Sequence, residues 1–149
     1  MPEPESLVLF RRAPAGLRRE RVAHFACELR KRVTRGRGFL CLITGDRELK
    51  NLNRRFLGKD YATDVLSFPA GGGKSAALGE LAISAERAAD QAREFGHSMD
   101  DEIRILMLHG VLHLLGMDHE RDRGAMARAE TRWRKQFGLP TGLIERVGL

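Results

Sequence analysis

The segment that most restricts how this chain can fold is a late apolar stretch, Ile105-Leu106-Met107-Leu108-His109-Gly110-Val111-Leu112-His113-Leu114-Leu115. Asp100 and Asp101 precede it, and carboxylates suit the positive end of a helix dipole. Gly116 follows it, and glycine ends helices by taking the left-handed conformation. A helix from Asp100 to about Leu115 is therefore expected. Because its apolar residues leave no polar face, it must lie in the middle of the molecule with other elements packed round it. A chain of 149 residues has room for a single sizeable core, so one domain over residues 1–149 is expected.

The remaining segments supply the packing. Leu7 to Phe10 reads as a short strand, and Leu17 to Val33 as a helix whose Val22, Phe25, Ala26, Leu29 and Val33 recur at helical spacing. Phe39 to Ile43 is an unbroken apolar run of strand length, and Thr44-Gly45-Asp46 can start a helix over Arg47 to Phe56. Asp64 to Phe68 and Gly79 to Ser84 mix polar and apolar residues as half-buried strands do, and the loop between them suits antiparallel pairing. Ser84 is placed to cap a helix that Gly96 stops after Phe95, packing through Ala85, Ala88, Ala89, Ala92 and Phe95. A last helix over about Arg121 to Phe137 would pack through Met126, Ala129, Trp133 and Phe137, followed by a short tail. The expected fold is α+β. A mixed four-stranded sheet, its first strand, helix and second strand forming a parallel crossover, packs with about five helices.

Hydrophobic residues at 42% and charged residues at 31% argue against disordered, collagen-like and membrane-spanning classes. The opening residues place acids before a short apolar run and match no signal peptide, so a cytoplasmic protein without membrane attachment is expected. Cys27 and Cys41 fall in helix and strand, outside any C-x-x-C pair, and read as reduced core thiols. The net charge of +6 is confined: residues 1–37 carry ten Lys or Arg against four Glu, and the remainder carries sixteen of each sign. Arg18, Arg19, Arg30, Arg32, Arg35 and Arg37 place the excess on the first helix and its following turn, where it suits RNA phosphates. A biased genome would leave the same mark, since 21 of the 26 basic residues are Arg.

Three of the five histidines, His109, His113 and His119, fall within the eleven residues HGVLHLLGMDH. Residues four apart share a helix face, so His109 and His113 can aim ring nitrogens at a common point. A left-handed Gly116 would let Met117-Asp118 swing His119 back beside them, forming a tripod at the end of the central helix. Left unpaired among apolar neighbours, each imidazole would cost roughly 1–3 kcal/mol, and one bound ion satisfies all three. Zn²⁺ suits three nitrogens and keeps a fourth position open for reaction, although Ni²⁺, Co²⁺ and Cu²⁺ accept the same ligands. A lone histidine on such a face is more often a satisfied core residue, and His24 and His97, outside the cluster, are given no role.

The spacing equals that of metzincin peptidases, H-E-x-x-H-x-x-G-x-x-H, but Gly110 stands where their catalytic glutamate belongs. The metal pattern persists without the peptidase base. With Gly110, Leu112, Leu114 and Asp118 in place, H-G-x-L-H-L-x-G-x-D-H resembles the YbeY family of bacterial rRNA maturation factors. Leu52-Asn53 with Gly58 to Pro69, GKDYATDVLSFP, and Leu78 to Ser84, LGELAIS, are similar to two further signatures of that family. The resemblance implies a zinc-dependent, single-strand-specific endoribonuclease of late 16S rRNA 3′-end maturation and ribosome quality control. Its implied partners are RNA, the ribosome and ribosomal proteins. Family members also carry an arginine just before the Gly-Lys-Asp step, where this chain has Leu57; Arg54, Arg55 and Lys59 are nearby cations able to contact the RNA backbone instead.

Two chemistries fit such a centre: attack by water acidified at the metal, or attack by the RNA's own 2′-hydroxyl with the metal as electrophile. The nearby carboxylates are Asp118 and Glu120, and Asp118 suits either a base or a group that orients a histidine or the turn. A non-enzymatic ribosome-assembly factor with a structural metal and a zinc hydrolase of another substrate are the competing readings. Gly71-Gly72-Gly73-Lys74-Ser75 lacks the leading glycine of a phosphate-binding loop, since Phe68 stands there, and reads as a flexible connection. Leu139-Pro140-Thr141-Gly142 reads as a turn, with no hydrophobic tail to make it a sorting signal.

Overall fold

A computed structural model describes residues 7–61, 63–71, 77–118 and 121–146. Its elements run β1 (Val8–Phe10), α1 (Arg19–Arg32), β2 (Phe39–Thr44), α2 (Asp46–Leu57), β3 (Val65–Pro69), β4 (Gly79–Ser84), α3 (Ala85–Phe95), α4 (Met99–Leu114), α5 (Ala125–Gln136) and α6 (Leu143–Arg146). The strands form a mixed sheet in the order β1-β2-β4-β3. Parallel registers put Cys41 opposite both Val8 and Leu81, and β3 returns antiparallel with Val65 opposite Ile83. This is the expected α+β architecture with its parallel crossover, plus one short helix, α6, that the sequence reading did not include.

Strand alternation divides the sheet into two faces. Cys41, Ile43, Leu81 and Ile83 pack with Phe25 and Leu29 of α1 and with Leu106 and Val111 of α4. On the other face Leu66 and Ala82 meet Leu49 of α2, with Leu52 and Phe68 at the margin. β4 was expected to be half-buried, yet only Glu80 of its residues is exposed. The reason is its central place in the sheet, with helices over both faces.

α4 lies where its composition demands: Ile103, Ile105, Leu106, Met107, Leu108, Val111 and Leu112 are all buried. Its start lies just ahead of the acidic pair, because the Ser98 hydroxyl accepts the Asp101 N–H at 3.0 Å. Ser84 caps α3 in the same way, accepting the Arg87 N–H at 3.2 Å. α5 starts later than the apolar spacing suggested. Arg123 and Gly124 take left-handed φ values of 57° and 86°, and the Asp122 carboxylate then accepts the Met126 N–H at 2.9 Å. Cys41 is buried but Cys27 is only half-buried, and both are free thiols. Most of the glycine-rich connection, residues 72–76, lies outside the described residues. Among the described residues no helix is long and apolar enough to cross a membrane.

Candidate metal centre

α4 presents His109 and His113 one turn apart, with ring centroids separated by 4.8 Å and planes inclined at 78°. His109 is buried and His113 half-buried. Nδ1 of each ring meets an acceptor. His109 Nδ1 lies 2.7 Å from Glu130 Oε2, and His113 Nδ1 lies 2.9 Å from the Met117 carbonyl oxygen. A carbonyl only accepts, so His113 Nδ1 carries the proton, and the Glu130 carboxylate draws the His109 proton to Nδ1 for the same reason. In each ring Nε2 is then the unprotonated nitrogen, the form that can bind a metal. Outer hydrogen bonds of this kind fix the tautomer and orientation of metal-binding histidines, so the pair fits a divalent ion.

After α4, Gly116 takes the expected left-handed conformation. Gly116 has φ +94°, its N–H reaches the His113 carbonyl at 2.9 Å, and the Met117 N–H reaches the Leu112 carbonyl at 3.2 Å. The same reversal sets the Met117 carbonyl against His113. His119 and Glu120 lie outside the described residues. Among the described residues no three His, Cys, Asp or Glu side chains gather into a metal site. Asp118 takes part in the turn: its carbonyl accepts the N–H groups of Arg121 and Asp122 at 3.0 and 3.1 Å. Its carboxylate lies 3.8 Å from Arg121 Nε.

Gly110 faces the sheet. A Cβ there would stand 2.7 Å from Leu81 Cδ2 and 3.4 Å from Val65 Cγ2, and its carbonyl accepts the Ser67 hydroxyl at 3.3 Å. The position that holds a base in metzincins is thus a close contact between helix and strand. The TDVLSF segment has structural work of its own. Asp64 accepts the Val65 N–H at 2.8 Å and the Gln91 side chain at 3.2 Å, joining the start of β3 to α3.

Glu130 is the residue that sequence reasoning missed. It is 1% exposed, and its second oxygen accepts the Ile144 N–H at 2.8 Å. A signal was present: it falls four residues after Met126 and three before Trp133, on the packing face of α5. A carboxylate in an apolar stripe needs a buried partner.

The cations stand apart from this cluster. Arg54 and Arg55 are exposed near the end of α2, across the sheet from α4, and Lys59 is exposed just beyond. Arg54 donates to Asn51 at 2.9 Å, Arg55 lies 5.5 Å over the Phe56 ring, and Leu57 is 47% exposed. Of the N-terminal set, Arg18, Arg19, Arg32 and Arg35 are exposed, and Arg30 and Arg37 are half-buried. Arg30 Nε donates to the Gly36 carbonyl at 3.1 Å. Arg32 donates to Gln136 at 2.9 Å and lies 4.8 Å over the Phe137 ring.

Comparison with known proteins bears on the fold and the family. Endoribonuclease YbeY of Solibacter usitatus is 65% identical over 148 residues, covering 99% of both chains. That of Koribacter versatilis is 46% identical, covering 95% of this chain and 91% of its own. A solution structure from Thermotoga maritima shares the fold with a TM-score of 0.53 at 23% identity, covering 87% of this chain and 93% of that one. The family model for Endoribonuclease YbeY matches residues 19–138, which span α1 to the end of α5, and this chain belongs to that family.

Proposed function

We propose that the chain is a metal-dependent endoribonuclease that cuts single-stranded RNA at a centre held by His109, His113 and His119. Zn²⁺ is the expected ion, with Ni²⁺ or another divalent metal able to replace it. One observation carries this reading: two histidines one turn apart on a buried helix each bond an acceptor through Nδ1. A bound ion supplies Lewis acidity there, acidifying water and polarising a phosphoryl oxygen. The chain's own residues prepare the place. Glu130 and the Met117 carbonyl stop the two rings from turning, the Asp118 carbonyl bonds the Arg121 and Asp122 amides just beyond, and the N-terminal arginines hold the RNA backbone. Relatives named as endoribonucleases support RNA as the substrate. The family resemblance extends the role to late 16S rRNA 3′-end maturation and ribosome quality control in the cytoplasm, with the ribosome and its proteins as partners.

Labelled single-stranded RNA incubated with the purified chain tests the proposal. Cleavage is expected, with loss on chelation, recovery on returning Zn²⁺, and sparing of a duplex of the same sequence. His113→Ala should lower the rate by more than the ~10–100-fold that loss of a ligand's outer hydrogen-bond partner costs. Cleavage at the parent rate by His113→Ala would assign the activity to another site or protein. The products also separate the two routes of attack, because only the 2′-hydroxyl route leaves a 2′,3′-cyclic phosphate.

A further inference from the structure

Glu130 is held from two sides, and the second side belongs to a segment with no part in the reading above. Its Oε2 takes His109 Nδ1 and its Oε1 takes the Ile144 N–H, at 2.7 and 2.8 Å. Gly142 closes over the same carboxylate: a Cβ at that position would stand 2.6 Å from Glu130 Oε1 and 3.2 Å from its Cγ. The backbone from Gly142 to Ile144 therefore rests directly on the group that orients His109.

α6 is in turn fastened to α4. Arg146 donates to both oxygens of Glu102, at 2.7 and 2.5 Å, where their side chains are 5% and 0% exposed. Glu102 also holds His97 Nε2 at 2.7 Å. Glu102 precedes His109 by seven residues, two turns, so both lie on the same side of α4. A four-residue helix has little stability of its own. Its place comes from these contacts, and they connect the helix bearing His109 to the carboxylate that fixes its ring.

We infer that α6 is a positioning element of the histidine centre: the Gly142–Ile144 backbone and the Arg146–Glu102 pair lock the Glu130 carboxylate so that it holds the proton of His109 on Nδ1 and leaves Nε2 to the metal. This rests on the metal reading of His109 and His113. It assigns Glu130, Gly142 and Arg146 positioning roles and gives none of them contact with substrate.

The test uses the full-length chain and three variants: Gly142→Ala, which crowds the carboxylate while keeping it; Arg146→Met, which releases α6; and Glu130→Gln, which replaces the carboxylate by an amide of the same shape. Two quantities are read on each: Zn²⁺ affinity by competition with a chromophoric chelator, and the tautomer of His109 by nitrogen NMR of the metal-free protein. A cooperative unfolding transition confirms that each variant folds. Loss of outer hydrogen bonds to a ligand costs about 10–100-fold in metal affinity, so a fall of at least about tenfold is expected in each variant, with His109 no longer confined to Nδ1–H. A merely structural role would lower the unfolding midpoint and move neither quantity. Folded variants with parental affinity and an unchanged tautomer would overturn the inference. If instead the parent and His113→Ala bind Zn²⁺ equally, the metal reading fails, and the tautomer still decides whether α6 positions His109.

Discussion

At the scale of single residues, Gly110 shows how a position can be read correctly for chemistry while its cause stays hidden. Its lack of a carboxylate removes the peptidase base, and its lack of a Cβ lets α4 press on Leu81 and Val65. The second fact depends on Leu81 and Val65, 29 and 45 residues away in sequence, so no local pattern discloses it. Gly110→Glu should therefore confer no peptidase activity and should destabilise the fold by at least ~3 kcal/mol, measured by denaturant unfolding, because a carboxylate would enter an apolar contact without a partner. Near-parental stability would show that α4 does not bear on β4 as described. Cys41 offers a test of burial that needs no assumption about function. Desolvation pushes its thiol up to about 12 from an ordinary value of 9.0. A group whose folded pKa is raised contributes stability fully present below the unfolded value and lost as pH rises through the folded one. Between about pH 9 and 12 the parent should lose stability more steeply than Cys41→Ala, by up to ~1.4 kcal/mol per pH unit. Identical slopes would mean that the thiol is not desolvated. Alkylation of the native chain should mark half-buried Cys27 and spare Cys41.

At the scale of elements, what could be read in advance is what local sequence controls. The helix of residues 85–95 is bounded by its own Ser84 and Gly96, and α4 is fixed by an apolar run that no surface helix could carry. α6 could not be read, because four residues offer no periodicity and its bonds reach Glu102 of α4 and Glu130 and Arg134 of α5. His109 and His113 were legible for a comparable reason, both lying on one helix, whereas Glu130 enters from another. Glu145 links this short element to pH. The Arg134 guanidinium, bonded at 2.8 and 3.2 Å, holds the Glu145 carboxyl below its ordinary value of 4.5. A lowered folded pKa contributes stability that is present above the unfolded value and lost as pH falls through the folded value. Acidification below about pH 4.5 should therefore loosen α6 ahead of the core. Hydrogen-exchange protection of the Ile144 and Arg146 amides should fall over that range in the parent, with a weaker pH response in Glu145→Gln. An equal response in both proteins would remove Glu145 from the account.

At the scale of the whole molecule, the +6 charge proves to be two populations of arginine with different work. Composition places the excess before residue 38 but does not distinguish a guanidinium facing solvent from one already used to hold the fold. Arg32 belongs to the second kind: it bonds Gln136, lies over Phe137, and so joins α1 to the end of α5. Arg18 and Arg35 are exposed, and among the described residues their guanidinium groups have no ion-pair partner. If the N-terminal arginines hold the RNA backbone, Arg18 and Arg35 are available to it without a cost in folding. Each phosphate contact to a single strand contributes about 0.7 to the slope of log affinity against log salt. Arg18→Gln and Arg35→Gln should each flatten that slope by about this amount for labelled single-stranded RNA, with the thermal midpoint unmoved. Arg32→Gln should do the reverse, lowering the midpoint through loss of its stacked and hydrogen-bonded place while the salt slope stays parental. A flattened slope in Arg32→Gln at unchanged stability would show that RNA draws this arginine off Phe137. Parental slopes in both Arg18→Gln and Arg35→Gln would move the backbone contacts away from these two residues.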